Sequence, residues 1–126
     1  MTKKFLPGRY ELPGGHIAFG EDITTGLKRA ILEELGVHII VGDPFAAFGY
    51  INQARGAHSV KIVYLARLVS QLERITLHPE DHSEYTWFSQ GQLHMAEYPQ
   101  GDPEFAAITR AFTLLDGETL NFGLSA

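Results

Sequence analysis

A mixed α+β sandwich, with two helices packed on a small sheet, is the fold class this sequence predicts, and three observations predict it. Two segments carry apolar residues at helical spacing between capping signals. Short segments rich in β-branched and aromatic residues lie between them. The 126 residues, 44% of them apolar, suffice for one packed core and are few for two, so one domain over 1–126 is expected.

The elements follow in chain order. Leu6 to Gly15 reads as two glycine- and proline-marked turns flanking a short extended piece. From Ile23 to Leu35 the apolar residues Ile23, Leu27, Ile31 and Leu35 recur every four positions, with Asp22 placed to cap the helix and Gly36 to end it. Val37 to Val41, Phe45 to Asn52 and Ser59 to Val69 read as strands, the last alternating Val60, Ile62, Tyr64, Ala66 and Leu68 against Lys61 and Arg67. The glycine-containing connection Gln53 to Ala57 predicts that the last two pair as an antiparallel hairpin. After the acidic loop His78 to Glu84 comes a short strand, Tyr85 to Phe88, and a turn of helix within Gly91 to Ala96. Asp102-Pro103 begins the second helix, with Phe105, Ile108, Phe112 and Leu115 as its buried stripe before Gly117.

Composition excludes several classes. No cysteine is present, which removes disulfide frameworks and thiolate zinc sites. A formal charge of −5 offers no basic stripe for gripping phosphates, so duplex nucleic acid is not an expected partner. The longest apolar stretches, such as Phe45 to Tyr50, fall far short of the ~20 residues that span a bilayer. The basic start Met1-Thr2-Lys3-Lys4 runs into Pro7, Gly8, Arg9 and Glu11 before a signal-peptide apolar segment can form. A soluble cytoplasmic protein without a membrane partner is the expectation.

The chemistry concentrates on the first helix. With Ile23 at zero on a helical wheel, Leu27, Ile31 and Leu35 fall at about 40°, 80° and 120°, and Glu34 near 20°. A carboxylate therefore lies inside the arc that should be buried, with Glu33 about 100° away at the edge of that face. A buried unpaired carboxylate costs several kcal/mol, so Glu34 calls for a compensating cation, a basic side chain or a metal. The plainer alternative is that Glu33 and Glu34 are solvated or pair with Lys28 and Arg29.

Read as a string, Gly15-His16-Ile17-Ala18-Phe19-Gly20-Glu21 is a glycine, five residues and a glutamate, followed seven residues later by Arg29-Ala30-Ile31-Leu32-Glu33-Glu34-Leu35-Gly36-Val37. This resembles the Nudix box, Leu12-Pro13-Gly14-Gly15 included, and matches eight of its nine defining positions. The resemblance implies an α/β/α sandwich around a mixed sheet, and a hydrolase acting on phosphoanhydride bonds with Mg²⁺ or Mn²⁺. It also implies that the Gly15 carbonyl and the carboxylates of Glu33 and Glu34 bind the metal, and that Glu21 and Arg29 form an ion pair bracing loop against helix. Arg29, Glu33 and Glu34 are on these grounds the expected catalytic set. The chemistry is sound independently of the name, since oxygen donors on one face suit a hard divalent cation shared with a diphosphate. Glu21 can equally serve as a helix-N-terminal acid that favours the dipole.

Two positions depart from the pattern. Ala30 stands where the family has a glutamate, reducing a carboxylate triad to a pair. Only fourteen residues precede Gly15, where Nudix domains normally supply a strand or two. Three explanations are open: a truncated product, a strand supplied by another chain, or a rebuilt sheet. Because an exposed strand edge seeks partners, a homodimer is expected.

The acidic loop offers a substitute base. His82-Ser83-Glu84-Tyr85-Thr86-Trp87 resembles the His-x-x-Tyr-x-Trp segment of GDP-mannose mannosyl hydrolases, a Nudix branch in which that histidine is the base. His82 is otherwise a solvent-exposed neighbour of Glu80 and Asp81. Glu84 is a further candidate metal ligand, as a glutamate of this loop is in some Nudix enzymes, or else faces solvent. Trp87 and Phe88 are expected in the core, and Tyr50 either in the core or stacked on a substrate base. The leading expectation is a metal-dependent hydrolase of a nucleoside diphosphate linked to another moiety, a small-molecule substrate attacked at phosphorus. The alternatives are a nucleotide-sugar hydrolase using His82 as base and a nucleotide-binding regulatory domain without turnover.

Overall fold

The first helix forms where its spacing and caps place it. In the computed structural model, which describes residues 10–70, 72, 74–77, 84–115 and 121–125, α1 spans Ile23–Leu35. The Asp22 carboxylate accepts from the Thr25 amide, and Gly36 closes the helix in the left-handed region at φ 69°, its N–H donating to the Leu32 carbonyl. Gly26, Ala30, Ile31 and Leu35 form its buried face.

β1 is the short piece Tyr10–Glu11 that leads into the loop before α1. After α1, β2 (Ile39–Asn52) and β3 (Ala57–Leu68) pair antiparallel as a long hairpin turning at residues 53–56. Sequence expectation had two strands where β2 is one. Register shifts on either side of Pro44 carry the strand past a residue that has no N–H to give the ladder. The hairpin has two unlike faces: Phe48, Tyr50, Ser59 and Lys61 are half-buried, while Ile51, Val60 and Ile62 are exposed.

β4 (Glu84–Phe88), a 3-10 turn (Gln90–Ala96), α2 (Pro103–Leu114) and β5 (Asn121–Ser125) complete the described chain. β5 lies between β1 and β4, antiparallel to both. No strand was expected there, although Leu120, Phe122 and Leu124 alternate with Asn121 and Gly123. In the described sheet the strand beside β1 is β5, which follows α2 in sequence. Every pairing among the described residues is antiparallel, where a mixed sheet was expected.

Two apolar clusters hold these parts together. Ile31, Leu35 and Val37 pack with Leu27, Ile39, Leu68, Ile75 and Leu77, fastening α1 to the base of the hairpin. Phe88, Leu93, Ala96, Ile108 and Phe112 pack with Tyr10, Leu12 and Tyr98, fastening α2 to the three-stranded sheet and to the start of the loop before α1. Phe88 is in this core, whereas Trp87, expected there too, is 39% exposed because alternate strand residues face opposite sides. The buried stripe of α2 is Glu104, Ala107, Ile108, Ala111 and Phe112. Phe105, expected in it, is 38% exposed, and the carboxylate of Glu104 takes the inward position one residue earlier.

Candidate active site

The loop between β1 and α1 owes its shape to hydrogen bonds made by acidic side chains. Glu34 is half-buried, and its Oε1 accepts the Gly14 amide at 3.0 Å, which ties the carboxylate to the loop one residue before Gly15. Expected to need a cation, Glu34 has a backbone N–H among its partners. Further along, Glu21 Oε1 accepts the Ala18 amide at 2.9 Å and Arg29 Nη2 at 3.0 Å, while Oε2 accepts Arg29 Nε at 2.7 Å. This two-pronged pair crosses from the loop to the helix. Arg29 Nη2 also donates to the His16 carbonyl at 2.9 Å, and Nη1 to Glu33 Oε1 one helical turn on. One guanidinium thus joins loop backbone, Glu21 and Glu33.

Electrostatics follow from that arrangement. The hydrogen bonds from Arg29, and after them the Ala18 amide, hold the Glu21 carboxyl below the usual glutamate range. The same two carboxylates push Arg29 further above its already high value, so it stays charged. Glu33, at 63% side-chain exposure, presents its carboxylate to solvent beside the guanidinium.

Small residues let loop and helix approach. A Cβ on Gly26 would stand 2.7 Å from Ile17 Cδ1 and 2.8 Å from Glu21 Oε1, so a larger residue would have to push the ends of both side chains off the helix. A Cβ on Gly15 would stand 3.1 Å from that of Ala30. Ala30 is 7% exposed, and the residue that departs from the box pattern packs directly beneath Gly15.

A spacing match alone would leave open whether these residues meet. They do: Gly15, Glu21, Arg29, Glu33 and Glu34 lie on one loop–helix unit, and the NUDIX domain family model matches residues 1–111. The chain belongs to the Nudix family. Two strains of Mycobacterium tuberculosis, CDC 1551 / Oshkosh and ATCC 25618 / H37Rv, each have a relative named "Putative 8-oxo-dGTP diphosphatase 2", 31% identical over 100 residues. That alignment covers 77% of this chain and 65% of the relatives' length, so the chain spans just under two thirds of each. No solved structure matches it.

Three further residues were expected to serve the Nudix box. His82 lies outside the described residues, and Glu84 is the first residue of β4. Tyr50 is half-buried on the hairpin, 5.6 Å from its ring centroid to Lys61 Nζ, which is also 5.8 Å from the Phe48 ring. Lys61 in turn meets Glu104 of α2 at 2.7 Å. Sequence reasoning passed over Lys61 and Glu104. The available signal was helical: Glu104 stands three, four, seven and eight residues before Ala107, Ile108, Ala111 and Phe112, the spacing of one face.

Among the described residues no three His, Asp or Glu side chains converge as a metal cage. The Gly15 carbonyl with the carboxylates of Glu33 and Glu34 could form an all-oxygen donor set. It fits a cation that keeps several waters and takes one or two carboxylates plus substrate phosphate oxygens, the habit of Mg²⁺. No helix among the described residues is long and apolar enough to cross a membrane.

Proposed function

We propose that this Nudix domain is a divalent-metal-dependent pyrophosphohydrolase acting on a nucleoside diphosphate linked to another moiety, with nucleoside triphosphates of the kind named for its relatives among its substrates. The observation that carries the reading is the anchoring of Glu34 on the Gly14 amide, which ties a carboxylate of the helix that carries Glu33 to the loop one residue before Gly15. Glu33, Glu34 and the Gly15 carbonyl would hold Mg²⁺ or Mn²⁺. A cation held there would neutralise phosphate charge and lower the pKa of a water bound to it.

The chain's own groups do the rest. Arg29 holds Glu33 in place and, through Glu21 and the His16 carbonyl, fixes the loop, so the oxygens need no reorganisation when a diphosphate arrives. Tyr50, beside Phe48 and Lys61, is assigned to the flat face of the base. His82 and Glu84 remain the proposed sources of a base and a further ligand in place of the glutamate replaced by Ala30. The reading keeps a homodimer, since β1 and β4 flank β5 and present the outer edges of that sheet among the described residues. Light scattering at micromolar concentration tests it.

A panel of nucleoside triphosphates, nucleotide sugars and dinucleotides, assayed with Mg²⁺ beside calorimetric binding of the same compounds, tests the function. Metal-dependent release of a nucleoside monophosphate is expected, and Glu34→Gln should lower turnover by at least about a hundredfold with the fold intact. Tight nucleotide binding without turnover would replace the enzyme by a sensor.

A further inference from the structure

Among the described residues outside the box, one charged group is almost wholly enclosed: Glu104, at 3% exposure. It sits on the first turn of α2, and its carboxylate gathers donors from three separate parts of the chain. Oε2 accepts the Leu12 amide at 3.1 Å and the Tyr98 hydroxyl at 2.6 Å, and Oε1 accepts Lys61 Nζ at 2.7 Å. Its own amide donates to Asp102 at the helix cap. A carboxylate buried at this depth costs stability, and the converging donors offset that cost.

The partner at Leu12 gives the arrangement its consequence. Leu12 and Gly14 are two residues apart on the loop that carries Gly15, and each gives its amide to a carboxylate from a different helix, Leu12 to Glu104 on α2 and Gly14 to Glu34 on α1. The loop is therefore stretched between the two helices at two points. The same Glu104 carboxylate holds Lys61 near the rings of Phe48 and Tyr50 on the hairpin. We propose that Glu104 is a positioning residue: by binding the Leu12 amide and the Lys61 ammonium at once, it fixes the Gly15 loop in register with Glu34 on one side and with the Phe48–Tyr50 face on the other. It touches neither metal nor substrate. It sets where the Gly15 carbonyl stands, and the part that concerns metal rests on the reading of Gly15, Glu33 and Glu34 given above.

Removing the carboxylate alone strands the Lys61 ammonium, so a folding defect in Glu104→Gln would be ambiguous. Replacing both charges avoids this, because a buried ion pair exchanged for apolar groups of similar size often leaves stability unchanged or raised. Two double variants separate positioning from charge balance. Lys61→Met/Glu104→Met removes every acceptor for the Leu12 amide. Lys61→Met/Glu104→Gln keeps a side-chain oxygen for it and no longer faces an ammonium with an amide.

The measurements are amide exchange at Leu12 and Gly14 in the metal-free protein, and the affinity for Mn²⁺ alone. In the double-methionine variant, exchange should quicken about tenfold, the loss of one hydrogen bond, and Mn²⁺ should bind roughly tenfold more weakly, the effect of a lost outer support, while cooperative melting persists. The glutamine variant should recover both. Unchanged exchange in a folded double-methionine variant, or no recovery with glutamine, overturns the proposal. If exchange responds as expected but the unaltered protein does not bind Mn²⁺, loop positioning by Glu104 stands and the metal assignment falls.

Discussion

At the scale of single residues, the loop–helix unit is governed by how little space separates its parts. Gly26→Ala should gain about 1 kcal/mol of helix propensity yet cost more, about 1–3 kcal/mol, by driving a methyl into Glu21 and Ile17. A net fall in the denaturant midpoint is expected, where an open helix surface would show a rise. Protonation probes the same brace. Glu21 has its carboxyl lowered by Arg29, so the pair's stabilisation is present above the ordinary glutamate range, near pH 4.3, and is lost as pH falls through the depressed folded value. Glu21→Gln should therefore lower Tm at neutral pH and flatten its decline on acidification. At this scale the sequence was legible where spacing encodes chemistry, as for Glu21 with Arg29, and illegible where burial depends on a distant neighbour. Nothing local marks Glu104 as the partner of Leu12 and Lys61, which lie 92 and 43 residues away.

Elements were most legible where a cap, a period and a stop coincide. α1 begins and ends where Asp22, the four-residue spacing and Gly36 put it, because each signal is satisfied within the helix itself. The buried face of α2 was misplaced by one residue at its start. Phe105 is the more apolar side chain, but the donors that meet Glu104 and the packing of Ile108 and Phe112 set the rotation of the helix. Phe112, 2% exposed at the centre of the larger cluster, is the anchor of that rotation. Phe112→Ala should cost about 3–5 kcal/mol, read as a lower chemical-denaturation midpoint, whereas Phe105→Ala should cost well under half of that. Equal losses would mean that the stripe is turned as the sequence suggested.

At the scale of the whole molecule, the three-stranded sheet joins the two ends of the described chain, since β5 is hydrogen-bonded to β1 on one side and β4 on the other. Local pattern could not show this, because pairing at such separation is decided by which edges are left open. A chain lacking residues 121–126 loses the middle strand, and its Tm should drop by about 10 °C or more, with β1 and the Leu12 amide losing protection from exchange. The separate attachment of α1 to the hairpin through Ile31, Leu35 and Val37 should survive longer in that variant. Both halves meet at the Gly15 loop, which is why the central claim concerns chemistry there. Hydrolysis of a nucleoside triphosphate with Mg²⁺ in oxygen-18 water tests that claim most directly. The label should appear on a phosphate-bearing product, at a rate that collapses in Glu34→Gln. Label on a sugar released from a nucleotide sugar, or undiminished phosphate labelling in Glu34→Gln, would contradict it.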